Sequence, residues 1–387
     1  MKSIVRGLRS MDLDFFLMIL LLLGIGLLML LSASFPSAYY ETGDPTYYFK
    51  RQLCFAAMGL VVMLIVGSQD YAWLRQIARP AMAGVLMLLI LVLIPGIGIM
   101  RNNARRWISV AGLFTIQPSE LAKLAVIVLL SASIAKKKDL MQTWRNGIRP
   151  YLCLLALTSG LVLVEPHFSG AVLIFGVGAI LMAVGGIRLR WIIGAGLLAV
   201  LGIGLLLSGV IPYGHSRIAM WENPFADARG AGYQLSQSLI TIGSGGLTGV
   251  GLGKSRQKFL FLPEEHNDFI FAIVCEELGF IGAGLILLLF MMLILRGYQI
   301  ARQARDRFGA LLVVGIISLF AMQTFLNVAV VTGLLPTTGV SLPFFSYGGT
   351  ALFLQLVEMG IVLSVSGQIG VSCPGNRSVL FRGVKIR

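Results

Sequence analysis

The chain has 387 residues, 57% of them hydrophobic and 12% charged, and a formal net charge of +14. Its apolar residues fall into runs of about 15 to 27, each long enough to cross a roughly 30 Å hydrocarbon core, which excludes a soluble globular domain or a disordered chain and implies an all-α, polytopic integral membrane protein. The positive charge then reflects membrane topology and anionic headgroups, and nothing in it calls for nucleic acid.

Ten transmembrane helices are predicted, at 15–34, 53–67, 81–99, 120–135, 151–164, 170–186, 191–211, 269–296, 310–333 and 346–368. The first is too long for a cleavable signal peptide and leads straight into the next. With the N-terminus inside, the inner segments hold roughly twice as many Lys and Arg as the outer ones, which places both termini, including the tail 370–387, in the cytoplasm. The second outer segment, 100–119 (MRNNARRWISVAGLFTIQPS), runs against that trend with Arg101, Arg105 and Arg106. A phosphate on the outer face is the simplest reason for them, because the guanidinium fork matches its oxygens; the alternative is a solvated basic face. In the fourth span Glu120 and Lys123 are three residues apart and face one side of the helix, as an intrahelical ion pair or as catalytic groups.

The longest connection, 212–268, exceeds what a link between helices needs and is too apolar and aromatic for disorder. It carries a short helical piece near Tyr233–Ile242, Gly-rich turns, a basic cluster (Lys254, Arg256, Lys258) and an acidic one (Glu264, Glu265, Asp268) directly ahead of the eighth span. That span, read as starting at Phe269, brings Glu276 and Glu277 to membrane depth, where carboxylates are expensive and mark function or a buried pairing with cations. Glu358 stands alone in the last span. Cys54, Cys153, Cys275 and Cys373 have no disulfide or zinc spacing and read as small buried apolar residues.

Two stretches, NPFADARGAGYQLSQSLITIGSGGLTGVGLGKSRQKFLFLPEEHNDFIFAIVCEELGFIG and LPTTGVSLPFFSYGGTAL, resemble the signature segments of the SEDS family, the FtsW, RodA and SpoVE proteins that polymerise peptidoglycan. The second, at 335–349, is more similar to the FtsW and SpoVE pattern than to that of RodA. The span count, inside termini and large outer loop match as well, so the resemblance covers a single transmembrane domain of nearly the whole chain. It implies a multi-pass protein of the bacterial plasma membrane acting as a glycosyltransferase on lipid II, in division, elongation or sporulation. It implies as partners a class B penicillin-binding protein with one transmembrane helix, which would supply the cross-linking domain this chain lacks, and other membrane proteins of the division or elongation complex.

Joining the acceptor's 4-hydroxyl to an anomeric carbon that carries undecaprenyl pyrophosphate needs one base, since pyrophosphate leaves without a proton; ordinary glycoside hydrolysis needs two carboxyl groups. The resemblance assigns that base to Asp268 in the HNDF string. The residue type alone fits a helix N-cap equally well. For substrate binding the candidates are Arg101, Arg105, Arg106, Glu120, Lys123, Lys254 and Lys258, with His266 and Ser346 from the two signature segments. A divalent cation (Mg or Mn) bridging the pyrophosphate and Asp268 is compatible with the charges, although no ligand set is visible. Two strings depart from the family pattern. EPHFSG has His167 where Asp is usual, which counts against an acidic or metal-binding role there, and DARGAGYQ has Ala228 where Pro is usual. A lipid II flippase and a non-catalytic scaffold for a transpeptidase are the competing functions. A flippase would be expected to show internal repeats, which the chain lacks.

Overall fold

The computed structural model describes residues 11–101, 104–110, 114–137, 141–188, 191, 193–194, 197, 221–227, 230 and 232–369. Helix α1 (Leu13–Thr42) starts where the Asp12 carboxylate accepts from the Phe15 N–H at 3.0 Å and stops at Gly43, whose left-handed backbone donates back to the Tyr39 carbonyl. It is followed by α2 (Tyr47–Ser68) and α3 (Leu74–Leu93). Next come α4 (Pro118–Lys137), α5 (Arg149–Val164) and α6 (Phe168–Val184). The bundle ends with α8 (Ile270–Gln303), α9 (Arg307–Val331) and α10 (Gly349–Ser366). A short helix, α7 (Tyr233–Gly245), fulfils the helical expectation for the long loop.

Seven of these helices are long and apolar enough to cross a membrane, and α5 and α6 are shorter apolar helices at the positions of the fifth and sixth expected spans. The seventh expected span, 191–211, and the tail 370–387 lie mostly or wholly outside the described residues. The central helix is α9, 78% buried over its most apolar window against 22% for α2. Most of its Leu, Ile, Val and Phe side chains are buried, Phe325 excepted, whereas the outward faces of α1, α2 and α8 leave residues such as Leu28, Val61 and Leu285 exposed, as a lipid-facing surface requires. Cys54 and Cys153 lie on that outward surface, so the expectation of burial holds for Cys275 alone, and Cys373 is not described.

The expectation of an all-helical chain misses one element. Residues 98–116 form an antiparallel sheet in the order β1 (Gly98–Arg101), β2 (Ala104–Val110), β3 (Phe114–Ile116). Trp107, Ile108 and Val110 are residue types that suit a strand, and β2 sends Arg105 and Arg106 to opposite faces.

Helix α8 breaks at Gly279, whose φ of 68° suits glycine. Backbone groups released by a break at membrane depth need partners, and the Gly-rich turn after α7 provides them. Val250 and Gly251 donate to the carbonyls of Glu276 and Glu277, while Phe280 and Ile281 donate to those of Gly246 and Leu247. At the opposite end of the bundle, Arg296 of α8 pairs with Asp12 and Asp14 at 3.0 Å, and the Asp12 N–H donates to Ser366. The start of α1 and the end of α10 are thus on one side, and the sheet, α7 and Asp268 are on the other.

Candidate functional site

The sheet side holds a cavity of about 820 Å³ between α2, the sheet, α4, α6, α9 and the segment 337–351. Its lining brings together Arg51, Arg106, Glu120, Lys123, His167, Glu264 and Asp268. Two buried hydroxyls on its wall, Ser169 Oγ and Thr338 Oγ1, have no hydrogen-bond partner. Unsatisfied polar groups on a cavity wall suit a polar ligand.

Asp268 is the last residue but one before α8. The N-cap position is Phe269, with no capping side chain, so the capping role open to Asp268 is not used. Its backbone carbonyl accepts from Asn327 Nδ2 of α9 at 2.7 Å, and the same amide donates to the Val340 carbonyl at 2.7 Å. Gly339, at φ 67°, faces the carboxylate: a Cβ there would sit 3.1 Å from Oδ2. The carboxyl oxygens accept no hydrogen bond among the described residues, which leaves them available to a ligand. Burial and then the neighbouring Glu264 push the Asp268 carboxyl up to about 6, while Arg106 and His266 pull it down.

The two sequence signatures are knitted together behind that carboxylate. Ser346 Oγ donates to the Asn267 carbonyl at 2.7 Å and accepts from the Leu342 N–H, and the Tyr347 N–H donates to the His266 carbonyl. Gln52 of α2 braces the turn, donating to the Ser346 carbonyl and accepting from the Gly348 N–H. Ser346 therefore fixes the backbone of the HNDF segment and does not line the cavity. His266 likewise stays outside the lining, stacked on Tyr48 at 4.6 Å between ring centroids, with Nδ1 3.3 Å from Glu265 Oε1.

The basic candidates separate. Arg106 lines the cavity, anchored by donation to the carbonyls of Glu165 (3.2 Å) and Pro166. Arg105, on the opposite face of β2, is not in the lining, and nothing is described of the Arg101 side chain. Lys123 and Glu120 form an ion pair at 2.7 Å within the cavity wall, with buried Glu358 of α10 in electrostatic range. Lys254 is exposed away from the cavity. Lys258 is buried in a separate cluster, where it pairs with Glu277 at 3.0 Å and donates to Ser32 Oγ and the Gly253 carbonyl. Glu276 in the same cluster accepts from Ser255 Oγ and the Arg256 N–H. The expected pairing with a cation inside the bundle is met by Glu277, whereas Glu276 is held by a hydroxyl and a backbone N–H.

Sequence reasoning missed Arg51, Asn327, Gln52, Gln117 and Ser119. Single Asn, Gln and Ser residues in apolar helices are visible as polar interruptions, but only the fold shows which of them converge. His167, noted as a departure, lines the cavity: Ser119 Oγ lies 3.1 Å and Gln117 Nε2 3.3 Å from its Nδ1. Burial, with Arg106 and Lys123 adding to it, holds its imidazole down at about 3. The adjacent Glu165 carboxylate is buried without a partner, and burial pushes it up to about 8.

A divalent cation would meet few donors here. Among the described residues no three His, Cys, Asp or Glu side chains gather. The donors do not fit a site held by the protein alone, and no step below passes through a metal.

The family model described as "Cell cycle protein", covering FtsW, RodA and SpoVE, matches residues 13–369. "Stage V sporulation protein E" of Bacillus subtilis is 44% identical over 92% of this chain and 97% of its own length. A "Probable peptidoglycan glycosyltransferase FtsW" of Geobacter metallireducens is 41% identical over 94% and 97%. Among solved structures, a chain from "Structural coordination of polymerization and crosslinking by a peptidoglycan synthase complex" superposes with TM-score 0.78 at 26% identity, covering 93% of this chain and 98% of that one. The "Rod shape determining protein RodA" of Thermus thermophilus gives 0.69 at 26% identity, covering 92% and 97%.

Proposed function

The chain belongs to the FtsW, RodA and SpoVE family of cell cycle proteins, and from that membership we infer that it is a peptidoglycan glycosyltransferase that polymerises lipid II into glycan strands. The observation that carries the mechanism is the presence, in one cavity, of Asp268, whose carboxylate accepts no hydrogen bond among the described residues, and an anchored arginine, Arg106.

In the reaction the acceptor's 4-oxygen bonds to the donor's anomeric carbon, and the bond from that carbon to the pyrophosphate oxygen breaks, its electron pair leaving with undecaprenyl pyrophosphate. Asp268 takes the 4-hydroxyl proton. A carboxylate pushed up to about 6 is a better proton acceptor than an ordinary one and is still mostly ionised at neutral pH. Arg106 faces the charge that develops on the pyrophosphate, held in place by two carbonyls that do not neutralise it. Arg51 and Lys123 add positive potential on the same wall, the latter tempered by Glu120. Neither Arg105 nor Lys254 shares that wall, so their contribution is to the approach of an anionic substrate.

The chain is a membrane protein. Its proposed place is the bacterial plasma membrane, with the Asp12 and Ser366 end of the bundle in the cytoplasm, in keeping with the basic loops. A class B penicillin-binding protein is the proposed partner, in line with the synthase complex that contains the structural neighbour.

Purified protein in liposomes with lipid II tests the reading. Glycan strands of increasing length are the expected product. Headgroup translocation without polymer would establish a flippase instead, and neither activity, with the transpeptidase present, would leave a scaffold.

A further inference from the structure

We propose that His167 is a substrate-binding residue, presenting a neutral Nε2–H as a hydrogen-bond donor to a diphosphate oxygen of the lipid-linked substrate. The inference rests on the lipid II reading given above.

Three observations carry it. First, the tautomer follows from the partners of the ring. The amide nitrogen of Gln117, 3.3 Å from Nδ1, can only donate, so Nδ1 accepts, from Ser119 Oγ at 3.1 Å as well, and the single ring proton of a neutral imidazole resides on Nε2. Second, the ring is held in one place. A Cβ on Gly170 would lie 2.7 Å from Nδ1 and 2.8 Å from Cε1, so the Nδ1 edge rests on the first turn of α6 at a point where only glycine leaves room. Third, Nε2 is left open on a residue that lines the cavity. It has no hydrogen-bond partner among the described residues, yet it is not one of the buried unsatisfied atoms, so it keeps contact with open space, and the residue lines the cavity although only 8% exposed.

A phosphate oxygen is the acceptor the surroundings favour. Both Arg106 and Lys123 are close enough to oppose protonation of the ring, so the donor faces a region of positive potential that suits an anion. An imidazole kept neutral there gives a fixed donor without adding a third full charge. The hydroxyl of Ser169, buried without a partner on the same wall, gives the anion a second donor.

Two variants separate this role from internal packing. In His167→Asn the side-chain oxygen replaces Nδ1 as acceptor for Ser119 and Gln117, but nothing reaches where Nε2 was. In His167→Gln the amide nitrogen reaches that place and the Nδ1 acceptor is lost. The expected result is that Asn raises the half-saturating lipid II concentration about tenfold, the effect of one charge-assisted hydrogen bond, with kcat changing far less, and that Gln stays within about threefold of wild type. Undecaprenyl pyrophosphate, as a competing ligand, should lose inhibitory strength against the Asn variant by the same factor. Equal or reversed effects of the two variants would overturn the proposal and leave the ring as an internal brace. A raised half-saturating concentration with unchanged inhibition by undecaprenyl pyrophosphate would also overturn it, by moving the contact to the sugar or peptide. If wild-type protein itself makes no polymer from lipid II, the failure belongs to the glycosyltransferase reading and not to this one.

Discussion

The segment 246–268 leads from one group of buried charges to another, and the two groups differ in a way that separates structure from chemistry. Around Glu276 and Glu277 both carboxylates have partners: Lys258 sits 3.0 Å from Glu277, which also accepts from Ser32, while Glu276 accepts from Ser255 and the Arg256 N–H. At Asp268 the backbone is clamped just as firmly, by Asn327, yet the carboxylate accepts no hydrogen bond among the described residues. A satisfied buried network rigidifies a fold, whereas an unsatisfied group persists only where a ligand or a reaction uses it. The matched cluster holds the loop onto the break at Gly279, and so keeps Asp268 where it is.

The largest expected contrast comes from exchanging one residue in each group. Asp268→Asn should insert normally and melt no lower than wild type, because burial raises the Asp268 carboxyl, while polymerisation falls by a factor of about 10² to 10⁴, the range for losing a positioned general base. Glu277→Ala should do the reverse first: it strands Lys258 in the interior, at a cost of about 3–5 kcal/mol, visible as a lowered midpoint in detergent before any effect on turnover per folded molecule. The double variant Glu277→Gln with Lys258→Met should regain most of that loss, because it removes both members of the pair and strands neither. A midpoint unmoved by Glu277→Ala would break the comparison.

A smaller effect separates the two arginines of β2. Arg106→Ala should raise the half-saturating lipid II concentration by the equivalent of about 1.5–3 kcal/mol, with Lys rescuing only part because it lacks the fork. Arg105→Ala, on the opposite face of the sheet, should stay within about threefold of wild type at physiological ionic strength. Equal effects would mean that β2 acts through its net charge alone.

A third contrast concerns Glu165, whose carboxyl is pushed from 4.5 up to about 8 by burial. Between those values the folded state binds more protons than the unfolded one, so this group lowers stability as pH rises. Glu165→Gln should melt with wild type near pH 4.5 and above it by a margin that grows up to about pH 8. A margin independent of pH would show that the carboxylate has a partner when the chain is in its membrane.

Much of this was legible in the sequence, and the gaps have physical causes. Hydrophobic runs set the helices because each must satisfy its backbone within lipid, and the Glu120–Lys123 pair follows from helical spacing. The sheet at 98–116 was not legible: its strands are short, flanked by Gly and Asn, and rest on the ends of helices rather than on a period of their own. Lys258 looked like a phosphate ligand because a basic cluster carries no mark of which member will be buried; Ser32, its partner, is more than two hundred residues away. Ser346 and His266 lie within the signature strings, and they serve to hold those strings together. His167 stood out as an unusual residue, but its role as a donor depends on Gln117 and Ser119, which only the packing of α4 against α6 brings within reach.

The central claim, that Asp268 receives the acceptor's proton, is tested most directly by the pH dependence of kcat/KM for polymerisation in wild type and in the residual activity of Asp268→Asn. Because the carboxyl stands at about 6, the ionised base is lost as pH falls through that value. The wild-type rate should be level above it and drop about tenfold per unit well below it. Asp268→Asn should lack this inflection altogether. The same inflection in the variant, or wild-type-like polymerisation by it, would contradict the account and assign the proton to another group.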